Sequence, residues 1–169
     1  MDPRGMIPPR GLAEIRLTYG DVKIDRDVRG GWRIISPIGW ERANCVGFTH
    51  PVLGERKLWV NKIILKPLSA ALWLCEERCP SYAIKTIGCF NERPKRTMGK
   101  PAGVIGWPRL SMHAVAAAVD INAASNPMQD PLCTDMPEEW IKAWMDVGWT
   151  WGGGFPIPDP MHFQWGSGV

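Results

Sequence analysis

No apolar run in the sequence approaches the roughly 20 residues that a membrane-spanning helix needs. There is no dense Lys/Arg run either. A net charge of +3 over 169 residues is too mild to mark a nucleic-acid binder. The first residues, Met1-Asp2-Pro3-Arg4-Gly5, lack the charged-then-apolar order of a signal peptide. The expectation is therefore a protein made in the cytoplasm without an export signal of its own. Five cysteines (Cys45, Cys75, Cys79, Cys89 and Cys133) follow no regular metal or disulfide spacing, and reduced structural thiols are expected. Histidine is scarce, with three in the whole chain. No internal repeat and no linker divides it.

What is present suits one domain with a proper core, at 169 residues with ordinary apolar and charged fractions. A monomer is expected. Ten tryptophans are many for this length; they either fill the core or line a groove for an extended polar ligand.

Residues 1–12, rich in Pro, Gly and Arg, read as an irregular lead-in. The brief alternation Ile15, Leu17, Tyr19 suggests a short strand or extended arm within 13–24. Turn signals crowd residues 29–56, which together with the lead-in are expected as an irregular N-terminal wrap (1–56) over a core at 57–169. Lys57–Leu65 reads as a strand. Pro67 fits the first turn of a helix to about Arg78, its apolar face formed by Leu68, Ala71, Leu72 and Cys75. Tyr82–Ile87 reads as a strand, and 88–106 as a basic loop carrying Arg93, Lys95 and Arg96. Ala116–Ile121 is small and apolar, strand or helix by propensity. A second amphipathic helix is predicted over Pro137–Val147, with Asp135 as N-cap, Gly148 as C-cap, and Trp140, Ile141, Trp144 and Met145 on one side. Short strands interleaved with two helices give an α+β fold class: a small antiparallel sheet with flanking helices.

The centre of this organisation is Leu110-Ser111-Met112-His113-Ala114-Val115-Ala116-Ala117-Ala118-Val119-Asp120-Ile121-Asn122. It sets His113 and Asp120 seven positions apart. Near the C-terminus, Asp159-Pro160-Met161-His162-Phe163 brings a second histidine and another acid. Two histidines and one aspartate make a three-ligand zinc set with an open position, and the spare carboxylate is available as a general base. Spacing alone leaves open whether His113 and His162 are ligands or ordinary hydrogen-bonded histidines. His50, in the turn-rich Thr49-His50-Pro51, is read as the latter.

A resemblance narrows that choice. Ser111-x-His113-x-x-Ala116-x-Ala118-x-Asp120 resembles the signature of the zinc D-Ala-D-Ala carboxypeptidase family, which includes the L-alanyl-D-glutamate endopeptidases of phage endolysins. Asp120-Ile121-Asn122 with Asn126-Pro127, then Trp151-Gly152-Gly153 and Asp159-x-x-His162-Phe163, are similar to its continuation and closing motif. Val60-Asn61-Lys62, Gly88 and Arg93-Pro94 look like the endolysin branch. The resemblance covers about 57–165 and implies a Hedgehog/DD-peptidase-like fold, Zn2+ as cofactor, and His113, Asp120 and His162 as its ligands. It further implies Asp159 as catalytic acid/base, Arg93 as support for oxyanion charge or a substrate carboxylate, and Ser111 and Trp151 as substrate-binding or ligand-orienting groups. Pro158 and Pro160 flank Asp159 and restrict its backbone.

This chain departs from the family pattern at Ala116, usually Gly; at Gly154 and Phe155, usually a polar residue and Trp; and at Gln164, commonly Glu. The implied function is zinc-dependent hydrolysis of peptidoglycan stem peptides. The endolysin-like flanks favour L-alanyl-D-glutamate endopeptidase action, with D-alanyl-D-alanine carboxypeptidase action as the alternative. The wall would be reached by holin-type release or in a phage particle. A non-catalytic, zinc-stabilised wall-binding or phage structural domain is the rival from another class.

Overall fold

The computed structural model describes residues 6–169; Met1–Gly5, part of the predicted lead-in, lies outside the described residues. The first element is a helix, α1 (Gly11–Tyr19), where the alternating triplet suggested a strand. Ile15 and Tyr19 lie four apart and point inward together, while Leu17 between them is 88% exposed. Three apolar residues at alternate positions therefore fit a helix once the middle one faces solvent.

The segment 29–56, expected to be irregular, is largely ordered in strands and a short helix. Strand β1 (Lys23–Arg26) pairs antiparallel with β2 (Trp32–Ser36). A one-turn helix, α2 (Trp40–Asn44), leads into β3 (Cys45–Phe48). β3 pairs with β4 (Leu58–Asn61), and β1 also pairs with β6 (Ile105–Gly106). The N-terminal part is thus hydrogen-bonded across residue 57 into the remainder of the chain. Its turn residues connect short strands, which is why their density read as an irregular wrap.

Helix α3 (Leu65–Arg78) carries Pro67 in its first turn and buries Pro67, Leu68, Ala71, Leu72 and Cys75, the face that the 3.6-residue period predicts. It packs on α4 (Glu138–Val147), which buries Trp140, Ile141, Ala143, Trp144 and Val147. Two details of α4 differ from expectation. Met145 is 52% exposed. The N-cap is Pro137, because the Asp135 carboxylate is taken by the Tyr82 hydroxyl and the Asn126 amide. Gly148 closes the helix in the left-handed region, as predicted.

The sheet that matters for function is antiparallel, in the order β5 (Ile87–Gly88), β7 (Ala118–Ile121), β9 (His162–Gln164), β8 (Thr150–Trp151). The strand expected over 82–87 is confined to its last residue and Gly88. β7 and β9 pair with Ala118 opposite Gln164, Val119 opposite Phe163 and Asp120 opposite His162. Successive strand residues point to opposite faces. Val119 and Phe163 therefore turn to the core, where Phe163 packs on Trp140 and Trp144 at centroid distances of 5.8 and 4.9 Å. Asp120, His162, Ala118 and Gln164 share the other face. Most of the tryptophans fill the core; Trp40, Trp107, Trp140, Trp144, Trp149 and Trp165 are buried, whereas Trp59 and Trp73 are exposed. The architecture is mixed α and β, with small antiparallel sheets and flanking helices. Among the described residues no helix is long and apolar enough to cross a membrane.

Candidate metal centre

Asp120 and His162 meet because they are register partners on neighbouring strands, and directly opposed side chains on one face lie within contact range. His113 arrives from a 3-10 turn, Met112–Val115, that immediately precedes β7. The Ser111 hydroxyl caps this turn by accepting the His113 backbone N–H at 3.3 Å. Ala116 ends it at φ 51°, in the left-handed region, where a glycine costs less than any residue with a Cβ. The usual glycine at this position thus has a backbone reason, and this chain tolerates the methyl. Asn61 braces the turn from outside: its backbone N–H donates to the Ala116 carbonyl at 2.9 Å and its side-chain amide to the Val115 carbonyl at 3.1 Å. Asn61 stood in the sequence only as part of a family-like flank, and its bracing role had no signal there.

The result is a triangle of ligand atoms. His113 Nε2 lies 3.0 Å from Asp120 Oδ1 and 3.1 Å from His162 Nδ1, and His162 Nδ1 lies 3.0 Å from Asp120 Oδ1. The two ring tautomers are fixed by their far nitrogens. His113 Nδ1 is 2.6 Å from the Cys89 carbonyl oxygen. That oxygen can only accept, so Nδ1 carries the proton and Nε2 presents a lone pair. His162 Nε2 faces Gln164 Oε1 at 3.0 Å, and the Gln164 amide is oriented by donating its Nε2 hydrogens to the Gly166 carbonyl at 3.0 Å. The oxygen end of the amide therefore accepts from His162 Nε2–H, and Nδ1 presents a lone pair. Two neutral nitrogens and a carboxylate oxygen converge with no proton among them. Such a cluster is repulsive on its own and fits a cation.

The size fits too. A tetrahedral zinc with bonds of about 2.0–2.1 Å holds neighbouring ligand atoms about 3.3 Å apart, against 3.0–3.1 Å here. Among the described residues, His113, Asp120 and His162 are the group of His, Cys, Asp and Glu side chains able to hold a metal ion. Burial pushes the Asp120 carboxyl up, and the two rings hold it well below the ordinary carboxylate range when they present N–H to it; with their lone pairs turned inward, a bound cation would do the same. It is the ionised form that ligates.

Asp159 reaches the site from a loop that is folded back on itself. Its backbone N–H donates to the Gly152 carbonyl at 2.9 Å, and its carbonyl accepts from His162 N–H at 3.0 Å. A Cβ at Gly152 would lie 2.5 Å from the Asp159 carbonyl oxygen, so this close approach requires glycine. The Asp159 carboxylate lines a cleft of about 440 Å³ together with Arg93, Ser111 and His162. Its Oδ1 is buried with no hydrogen-bond partner among the described residues. Burial pushes its carboxyl up; His162, Arg93 and Arg96 pull it down, Asp120 adds to the rise, and the net shift is upward.

Trp151 does not line this cleft. Its indole N–H donates to the Pro160 carbonyl at 2.9 Å, so it anchors the loop carrying Asp159 from behind. His50 lies outside the metal group. Its Nδ1 accepts from Val52 N–H at 3.3 Å as an ordinary cap, while its Nε2 is buried without a hydrogen-bond partner among the described residues. Sequence reasoning passed over Cys89, which acts through its carbonyl, and noted Gln164 only as a departure. It also left Lys95, Arg96, Met128 and Phe155 unassigned, although all four line the cleft.

Residues 106–165 match the family model described as D-alanyl-D-alanine carboxypeptidase. The match supports the resemblance drawn from the two histidine motifs, and it spans both. No curated protein and no solved structure matches the chain.

Proposed function

We propose that the chain is a zinc-dependent peptidase that hydrolyses peptidoglycan stem peptides, with His113, Asp120 and His162 as the metal ligands. The observation that carries this reading is the juxtaposition of three converging lone pairs with a buried, unpartnered carboxylate oxygen on one cleft. Binding alone needs no such carboxylate; a proton shuttle does. When bound, the divalent ion supplies Lewis acidity and lowers the pKa of water towards neutrality. Asp159 takes the proton of the attacking water and passes it to the leaving amine. Arg93, which lines the same cleft, holds negative charge as it develops on the scissile carbonyl oxygen. Ser111 fixes the turn that aims His113.

Two cleavage modes suit this site. The endolysin-like flanks, in which Asn61 braces the His113 turn, favour endopeptidase action at L-alanyl-D-glutamate. The description of the matching family favours removal of a terminal D-alanine. The test is a mass-spectrometric digest of purified peptidoglycan with and without a zinc chelator, using wild type and Asp159→Asn. New L-Ala and D-Glu termini that vanish with chelator establish the endopeptidase mode; released D-alanine alone establishes the carboxypeptidase mode. No product from protein shown to contain zinc overturns the peptidase reading in favour of a binding domain.

Asp159→Asn is expected to lower kcat about 100- to 10,000-fold with zinc retained. The pH profile gives a further check. The base form is lost as pH falls through the raised folded pKa. The acid limb of kcat/KM therefore lies above the value of about 4 typical of a free aspartate, and a limb at or below that value contradicts the assignment of Asp159.

A further inference from the structure

Arg93, Lys95 and Arg96 line one wall of the cleft, and Phe155, Pro156 and Ile157 also line it. The basic wall is built by the backbone. Arg93 and Lys95 flank Pro94, which is buried and bridged to Leu110. Ser111 N–H donates to the Arg93 carbonyl at 3.2 Å and Lys95 N–H to the Arg109 carbonyl at 3.0 Å. In an extended segment alternate side chains share a face, so both cations turn to the cleft while Pro94 turns to the core. Arg96 opens the 3-10 turn that follows.

Among the described residues, none of the three forms an ion pair within 4.0 Å. The Arg93 guanidinium has one hydrogen bond, to the Pro94 carbonyl, at 3.4 Å. The acids near the site, Asp120 and Asp159, are committed to metal and proton transfer in the reading above. Three partly buried or cleft-facing cations without carboxylate partners, held beside apolar side chains that lower the local dielectric, make a receptor for negative charge.

We infer that Lys95 and Arg96 are specificity-determining residues that select peptides carrying a free carboxylate on the residue adjoining the scissile bond, over the same peptides with a carboxamide there. The inference rests on the peptidase reading and deepens it. It holds for either cleavage mode, since an acidic residue and a free chain terminus both place a carboxylate beside the cut. A carboxamide loses the charge and one of the two acceptor oxygens, and its N–H donors find no acceptor on Lys95 or Arg96.

The experiment compares kcat/KM for two synthetic stem peptides that differ only in carboxylate or carboxamide at that residue, with wild type and with Lys95→Met/Arg96→Met. The wild type is expected to prefer the carboxylate about 10- to 100-fold, the worth of one or two hydrogen bonds to a charged group. The double variant is expected to bring the ratio towards one. A variant that merely disturbs the fold lowers both rates and leaves the ratio standing, which overturns the inference, as does equal wild-type cleavage of the two peptides. If neither peptide is cleaved, the peptidase reading fails, and calorimetric binding of the same pair to zinc-loaded protein decides the inference separately. Equal affinities overturn it, and a carboxylate preference that Lys95→Met/Arg96→Met removes sustains it.

Discussion

Gln164 does for His162 what the Cys89 carbonyl does for His113: it accepts the proton on the far ring nitrogen and turns the near lone pair towards the site. Gln164 is locked in turn by the Gly166 carbonyl. Replacing it by leucine removes the acceptor, frees His162 to change tautomer and leaves the Gly166 carbonyl without this donor. Gln164→Leu is expected to weaken zinc binding about 10- to 100-fold, measured by competition with a chromogenic chelator. Gln164→Glu keeps an acceptor for His162 Nε2–H and should stay closer to wild type. Equal zinc affinity in the leucine variant would refute the lock. At this scale the three converging side chains were legible because their types and spacing are chemical. Their supports were not: Cys89 contributes a main-chain carbonyl that any residue offers, and Gln164 registered only as a departure from Glu. Ala116 was legible in outline, since the departure from the usual glycine marked the position, and its φ is 51°.

Among the elements, the loop from β8 to β9 illustrates how a backbone contact positions a side chain. Gly152 lies against Asp159, and Trp151 ties the loop through Pro160. A methyl at Gly152 meets the Asp159 carbonyl oxygen at 2.5 Å and His162 Cβ at 3.1 Å. Neither can yield without shifting Asp159 or His162. Gly152→Ala is expected to destabilise the protein by about 1–3 kcal/mol in denaturant titrations, with a larger relative loss in kcat than in zinc content. A variant with wild-type kcat would show that the loop adapts. Long elements such as α3 and α4 were legible because their apolar positions repeat over several turns. The two-residue strands β5, β6 and β8 carry too few positions for any period. α1 was misread because Ile15, Leu17 and Tyr19 satisfy a strand pattern, while the exposure of Leu17 is decided by what packs beside it.

For the whole molecule, the metal centre joins parts that the core holds less directly. Phe163, Val119 and the α4 tryptophans pack the inner face of the sheet with apolar side chains alone, so the core is expected to form without zinc. On the outer face His113 belongs to a turn braced by Asn61, whereas Asp120 and His162 belong to paired strands. A cation held by all three would also remove the repulsion among their lone pairs. A ligand bound only by the native state stabilises it by RT ln(1 + [L]/Kd), about 4 kcal/mol at a thousandfold excess over Kd. For a domain of this size each kcal/mol moves Tm by about 2–4 °C. Chelation is therefore expected to lower Tm by about 10 °C in calorimetry while leaving a cooperative transition, and added zinc should restore it. His113→Ala should abolish the zinc-dependent part. A Tm indifferent to chelator would place the metal outside the folded framework, and loss of the transition altogether would make zinc a condition for the core.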